Sequence, residues 1–408
     1  MEQDVVYEQW DSTDRTELIS YVCPLSEFFN DLVETIDKLT KHSYTAKAQG
    51  AYYKQRKEDL EPDTLLIQCD FAENFQFVIQ DEVQSYHWSK KYCTLHPVVI
   101  YYLDPEGKLI HESFCIISDD LTHDNCFVHQ LEKFIVAYVK QNLPHIKRFE
   151  YFTDGCAGQY KSYKNFINIC LHEQDFEVPA KWNFFATSHG KGACDGIGGT
   201  VKRLAYKESL RRVKGKYILT AKQMYDWCRD NIEGIIFHFI EALEMKNTTR
   251  PFLNKRFESG CTVPGTLSYH QFYPSSSNTI EYKRLSSDVF TAGSYTWGQI
   301  TDGITVNLTD LDIGSYVAAI YDLDWYVGLI EDINVEQKEC NVNFMHPKQP
   351  TGALNWPRTP DKCLVPLNNI ISIISVPSSS SMTSRAYKLK KEEHIDIVNK
   401  FANYLAKL

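Results

Sequence analysis

No two of the 12 cysteines in this chain stand in a CxxC pair, and no Cys/His cluster has zinc-finger spacing. That excludes the common structural zinc modules. No run of about 18 apolar residues exists to span a bilayer. The opening segment MEQDVVYEQWDS lacks the basic and apolar regions of a signal peptide. Together these absences predict an intracellular protein, nuclear or cytoplasmic, with no membrane partner and with reduced, mostly structural thiols. A basic excess is missing too, since 53 acidic residues face 43 Lys and Arg for a formal charge of −10. Coating nucleic acid over a broad face calls for a Lys or Arg per neutralised phosphate, so that role is disfavoured. Local basic contacts around an acidic metal site remain compatible with the charge. The P-loop pattern GxxxxGK[ST] is absent, and there is no internal repeat.

What is present is 408 residues, enough for two or three domains with a sizeable core. Residues 1–60 read as a helical lead-in, because Phe28, Phe29, Leu32, Ile36 and Leu39 recur at helical spacing. The period then changes. TLLIQCDF (64–71), HPVVIYYL (96–103) and LIHESFCIIS (109–118) read as strands, the last two joined by the turn DPEGK. LTHDNCFVHQLEKFIVAYVKQNL (121–143) is an amphipathic helix closed by Pro144. A strand over 146–154, a helix around 160–172, a strand over 182–188 and a helix from the Gly-rich GKGACDGIGG follow. The order of three strands, helix, strand, helix, strand, helix is that of a ribonuclease-H-like core, a mixed five-stranded α/β sheet with flanking helices. An insertion over roughly 72–93 separates the first two strands. The core is expected over 61–246, its last helices being TAKQMYDWCRDNI and GIIFHFIEALEM. Residues 247–308 read as a connector with some short strands, 309–376 as a small all-β Tudor-like barrel, and 377–408 as a flexible break and a terminal helix.

Three acids stand where this order of elements brings them together. Asp70 ends the first strand, Asp154 the fourth, and Asp195 opens the helix after the fifth. The first and fourth strands are neighbours in such a sheet, so three carboxylates converge. They repel one another unless divalent cations neutralise them, and oxygen ligands suit Mg²⁺ or Mn²⁺. Two ions roughly 4 Å apart activate a nucleophile and stabilise the leaving oxygen in phosphoryl transfer. Each acid also has a plainer reading: Asp154 as a turn former, Asp195 as a helix cap, Asp70 as a surface acid. Glu208 is the substitute if Asp195 lies too near the helix start. Around the acids, Gln159, Tyr160, Lys161 and Lys164 on one side and Lys191, Lys202 and Arg203 on the other are candidate phosphate contacts. His189 is either a catalytic assistant or a structural hydrogen-bonder. The run TVKRLAYKESLRRVKGK is either a nucleic-acid-tracking face or a solvated helix surface.

CDFAENF, QSYHW, TLHPVVIYY, FTDGCAGQYK and ATSHGKGACDGIGGTVKR resemble segments of a group of transposase-like proteins common in animal genomes. HSYTAKAQGAYY resembles that group's helical lead-in, and WYVGLIEDI, VNFMHP and LVPLNNIISII its small C-terminal barrel. The resemblance covers most of the chain, and its two Asp-centred motifs are the specific part. It implies a ribonuclease-H-like DDD/E nuclease or strand transferase acting on DNA. Asp70, Asp154 and Asp195 would take the places of the metal-holding acids, and a homo-oligomer is expected. A sequence-reading module, often zinc-stabilised, usually precedes such cores and is not visible, which fits a truncated element or a gene copy retained by a host.

In the barrel, Tyr316, Trp325, Tyr326 and Phe344, with Trp356 and Asp322 or Asp324 nearby, would suit an aromatic cage for a methylated side chain in chromatin. The same residues would suit a barrel core, and docking onto the catalytic domain or a second protein chain is a further use. Against the nuclease stands a domesticated, catalytically silent scaffold that binds DNA or chromatin. A metal-independent interaction protein also fits the acidic charge, but leaves the converging acids unexplained.

Overall fold

The computed structural model describes residues 4–12, 16–78, 90–187, 189–190, 192–212, 217–258, 260–263, 265–297, 306, 308–321, 324–335, 338–348, 353–357, 360–379 and 386–405. The chain opens with an antiparallel hairpin, β1 (Asp4–Ser12) and β2 (Thr16–Pro24), where a helix is expected. The correction has a local cause. VVYEQW and ELISYV are rich in β-branched and aromatic residues, which favour a pleated surface over a helix. Pro24, at φ −57°, then leads into α1 (Leu25–Glu58), which runs for 34 residues.

The central layer is one ten-stranded mixed sheet. Its elements in chain order are β3 (Thr64–Cys69), β4 (Ala72–Gln76), β5 (Tyr92–Leu103), β6 (Leu109–Ser118), α2 (Asn125–Asn142), β7 (Arg148–Thr153), α3 (Tyr163–Phe176), β8 (Ala180–Phe184), α4 (Ala193–Arg211), α5 (Ala221–Asn231) and β9 (Ile236–Ile240). A short α6 (Ala242–Glu244) and α7 (Arg250–Phe257) lead to β10 (Gln271–Ser276), β11 (Thr279–Lys283) and β12 (Gly293–Thr296). The strand order is β12-β11-β10-β8-β7-β3-β5-β6-β9, with β4 on β5. β3, β5 and β6 run antiparallel, whereas β7 and β8 run parallel to β3.

All six residues of β3 are buried, as its near-continuous apolar run requires when both sheet faces are covered. Alternation sorts the faces. Ile67, Val98 and Ile116 pack with Phe127 and Ile135 of α2 and Phe166 of α3. Val99, Cys115 and Ile117 pack with Ile197 and Val201 of α4 and Met224 of α5. The turn between β5 and β6 is as expected: the Asp104 carboxylate accepts from the Glu106 and Lys108 amides at 3.0 and 2.9 Å, and Gly107 takes φ +81°. GIIFHFIEALEM is not one helix. Its first part is β9, paired parallel to β6, after Gly234 turns the chain at φ +76°. Residues 247–308 are more than a connector, for β10 pairs with β8 and carries the sheet onward.

The C-terminal part is separate antiparallel structure. β13 (Tyr316–Tyr321), β14 (Asp324–Asn334), β15 (Glu339–Phe344), β18 (Asp361–Pro366) and β19 (Ile370–Ile374) form a five-stranded sheet in the order β18-β15-β14-β13-β19. A 3₁₀ turn, Leu367–Asn369, joins its last two strands. β16 (His346–Lys348), β17 (Ala353–Asn355), β20 (Ser378–Ser379) and β21 (Tyr387–Lys388) form a smaller sheet, and α8 (Lys391–Leu405) covers one face through Ile397.

Candidate active site

β3 and β7 are parallel neighbours with Gln68 opposite Phe152, so the residues two further on, Asp70 and Asp154, lie side by side beyond the strand ends. The Asp70 amide donates to the Pro97 carbonyl at 3.2 Å, which ties the first acid to β5. One Asp154 carboxylate oxygen accepts from the Cys156 amide at 3.1 Å. The α4 start is pressed against the same strand ends. Buried Cys194 directs its thiol to the Gln68 carbonyl at 3.4 Å. A side chain at Gly192 would come within 2.6 Å of the Gln68 amide, and one at Gly190 would meet the Asp154 Cβ at 3.4 Å. Those glycines let the loop close over the acids. Asp195 lies in the first turn of α4, exposed, with Oδ2 accepting from the Gly192 amide at 2.8 Å.

The electrostatics follow from this crowding. The Asp70 carboxyl is pushed up to about 7, first by burial, then by the charges of Asp154 and Asp195. Asp154 is also raised by burial, with the Cys156 amide opposing. The three carboxylates therefore share one field. They do not close on one another: among the described residues, no three His, Cys, Asp or Glu side chains are grouped tightly enough to hold an ion. Two carboxylates whose ionisation burial disfavours, with a third beside them, are a donor set whose charge a hard divalent cation relieves. The chemistry fits Mg²⁺ or Mn²⁺. Closing the shell requires Asp195 to turn from its capping bond or to use its other oxygen.

The remaining candidates divide. His189 is exposed, its ring 5.1 Å from that of His42 on α1. Lys202 and Arg203 stand on α4, half-buried and exposed respectively, and Lys164 is half-buried beside the Tyr163 ring. The Gln159 carbonyl accepts from Asn125 at 2.7 Å. Lys191 lies outside the described residues. Lys161 is a correction: it is 4% exposed, its ammonium donates to the Leu267 carbonyl at 3.0 Å, and burial pulls it down to about 7. The turn after Asp154, in which the Cys156 carbonyl accepts from the Gln159, Tyr160 and Lys161 amides, aims it inward. Glu208 cannot replace Asp195, since thirteen positions along a helix are about 20 Å, and it pairs with Arg212 at 3.0 Å.

Two buried residues complete the floor: His96, which had no expected role, and Tyr160, expected at a phosphate but turned inward. His96 Nε2 and the Tyr160 hydroxyl lie 2.7 Å apart, both fully buried, and burial drives His96 down to about 3. His96 packs edge-on to Phe71, the residue after Asp70, at 4.2 Å between rings. A histidine inside an apolar strand, HPVVIYY, was the available signal.

The proposed aromatic cage does not assemble. Tyr326 and Phe344 pack together in one core of the five-stranded sheet, their rings 6.3 Å apart. Tyr316 and Trp325 pack in the other, with Trp356 and Ile397. Adjacent strand residues point to opposite faces, so Trp325 and Tyr326 cannot share a cage. Asp322 lies outside the described residues.

The fold and the strand-end acids define a mixed α/β protein with three carboxylates at the C-terminal ends of two central strands and the start of the helix packed on them. The chain belongs to the family described as a domain of unknown function, DUF8701, which matches residues 49–286 and so includes Asp70, Asp154 and Asp195. No curated protein and no solved structure matches it.

Proposed function

We propose that this chain is a transposase-derived, ribonuclease-H-like protein that cleaves or transfers DNA phosphodiesters with divalent metal. The observation that carries this reading is the meeting of Asp70, Asp154 and Asp195 in one field from three separate elements. The order β8-β7-β3-β5-β6, with β5 antiparallel to both β3 and β6, supports it, because that is the order expected of such a core. Asp70, Asp154 and Asp195 would hold Mg²⁺ or Mn²⁺, which when bound polarises the phosphate and the attacking oxygen. Lys202 and Arg203 on α4, with Lys164 and Gln159 on the far side, flank the acids and hold backbone phosphates. His189, exposed at the loop, contacts the scissile region. The neutral His96–Tyr160 pair excludes charge and water from beneath Asp70.

For the C-terminal part we propose a Tudor-like barrel, on its strand order and the 3₁₀ turn before β19. It would dock a chromatin or other protein chain through its surface, since its aromatics fill its cores.

Nicking of supercoiled DNA in Mn²⁺ tests the enzyme. Asp154→Ala is expected to lose activity by on the order of 10²–10³-fold or more, and undiminished cutting by that variant overturns the reading. The scaffold alternative draws on the Asp195–Gly192 capping bond and the open carboxylate group. Calorimetric titration separates the two, because a silent scaffold has no need to bind Mn²⁺ while still binding DNA.

A further inference from the structure

α1 is one helix in two environments. From Gln49 onward it is docked: the buried Gln49 amide donates to the Phe184 carbonyl and to Ser286, both at 2.8 Å, and Tyr53 packs on Phe152 and Phe185. Before that, Phe29, Leu32, Val33, Ile36 and Leu39 are all exposed, Val33 by 65% and Leu39 by 62%. Five large apolar side chains on one helical stretch are not a random scatter of surface residues.

Their spacing says what covers them. Leu25, Phe29, Leu32, Ile36 and Leu39 follow one another at intervals of four, three, four and three, the heptad rhythm of a helix that pairs with another helix. The flanking heptad positions are Ser26, Phe28, Val33, Thr35, Thr40 and His42, with no Lys, Arg, Asp or Glu among them. An identical helix can therefore approach without like charges meeting beside the seam. The pattern is also self-complementary when reversed. Sliding two antiparallel copies until Phe29 faces Leu39 brings Leu32 opposite Ile36. One two-fold axis relates the Phe29–Leu39 and Leu32–Ile36 layers to their copies, as an isologous dimer requires.

The hairpin beside α1 carries further exposed apolar residues. Val6 pairs with Val22 and Trp10 with Leu18, and all four point to one face of the ribbon, where they are exposed. Its other face rests on the helix through Tyr7 against Phe28 at 5.1 Å. A two-stranded ribbon that leaves two apolar cross-strand pairs bare is marginal alone.

We propose that the first half of α1, with the β1–β2 hairpin beside it, is the antiparallel dimer interface between two copies of this chain. This stands independently of the enzymatic reading. Because His42 on α1 packs against His189 in the loop over the acids, the dimer seam begins next to the candidate site and holds two such sites in fixed relation.

The test is the mass of the full chain in solution by light scattering at micromolar concentration. The wild type is expected at twice 47.3 kDa. The double variant Leu32→Glu, Ile36→Glu is expected at half the wild-type mass with an unchanged circular dichroism spectrum, since both positions are exposed in the single chain. A monomeric wild type, or a double variant that stays dimeric, overturns the proposal. Register is read by oxidation of mixed variants: Phe29→Cys with Leu39→Cys cross-links between copies, and neither does so alone. Cross-linking of each variant with itself indicates parallel pairing and also overturns it.

Discussion

Two of the places where this protein takes carboxyl groups out of water resolve the strain differently. Asp70, Asp154 and Asp195 come from separate elements to the solvent-facing ends of central strands, where Asp70 rises to about 7 from burial and its neighbours. Glu132 sits inside α2, 1% exposed, with neither oxygen partnered among the described residues. It rises to about 8, chiefly from burial and then from Asp175, with Arg256 opposing. A closed site can relieve its charge only by taking a proton, whereas an open one can take a cation. The same desolvation is structural in one case and a binding device in the other.

The comparison breaks if metal fails to distinguish the sites, and that is where the largest effect is expected. Millimolar Mn²⁺ should raise the melting temperature of wild type and Glu132→Gln alike, by about 2.7 kcal/mol of stability at a hundredfold excess over Kd. Asp154→Ala should lose that shift, and a scan with and without chelator reads it. Next comes the pH dependence of Glu132. Its folded value lies above its unfolded one, so its contribution is fully present below about 4.5 and is lost as pH rises through about 8. Wild type should therefore lose stability across that window, and Glu132→Gln should gain on it steadily, by a few kcal/mol at the alkaline end, on the order of the shift itself. Melting curves from pH 4.5 to 8.5 check this. An equal pH slope in both proteins would show that Glu132 is not the titrating group.

Asp70→Asn sharpens the contrast with a smaller effect. Asp70 is also raised, so its contribution is present below about 3.8 and lost through about 7. The variant should melt a few degrees higher than wild type at pH 8 without metal, less than a fully buried group would give because solvent screens the site. It should fall below wild type once Mn²⁺ is added. The smallest effects concern DNA. Lys202→Ala and Arg203→Ala should each lower the salt slope of binding by about 1, while Lys161→Met should leave DNA affinity within about twofold, the ammonium being buried. Fluorescence anisotropy over a salt series reads all three.

Much of the site was legible in the sequence because strands end where apolar runs end. IQCD and YFTD announce acids at strand termini, and the glycines of HGKGACDGIGG announce a close approach. The inward turn of Lys161 was not legible, since a Lys in a polar turn gives no sign that the turn will be roofed by the segment around Leu267, over a hundred positions away. The split of the barrel aromatics was legible in part: consecutive Trp325 and Tyr326 must face opposite ways in any strand. The N-terminal hairpin was missed because the helical rhythm after Leu25 was extended backward over VVYEQW, whose own composition favours strand. β9 was missed because IIFHFI is too short and apolar for its period to separate helix from strand.

By itself the sequence determined which segments are strands at the heart of the sheet, which helices pack on them, and that three acids stand at element boundaries. Those are consequences of periodicity and turn chemistry, which act over a few residues. Tertiary structure alone decided that β10–β12 extend the sheet, that Lys161 and Glu132 lie inside, and that the first half of α1 is left bare. Burial depends on what arrives from elsewhere in the chain, and no local pattern records that.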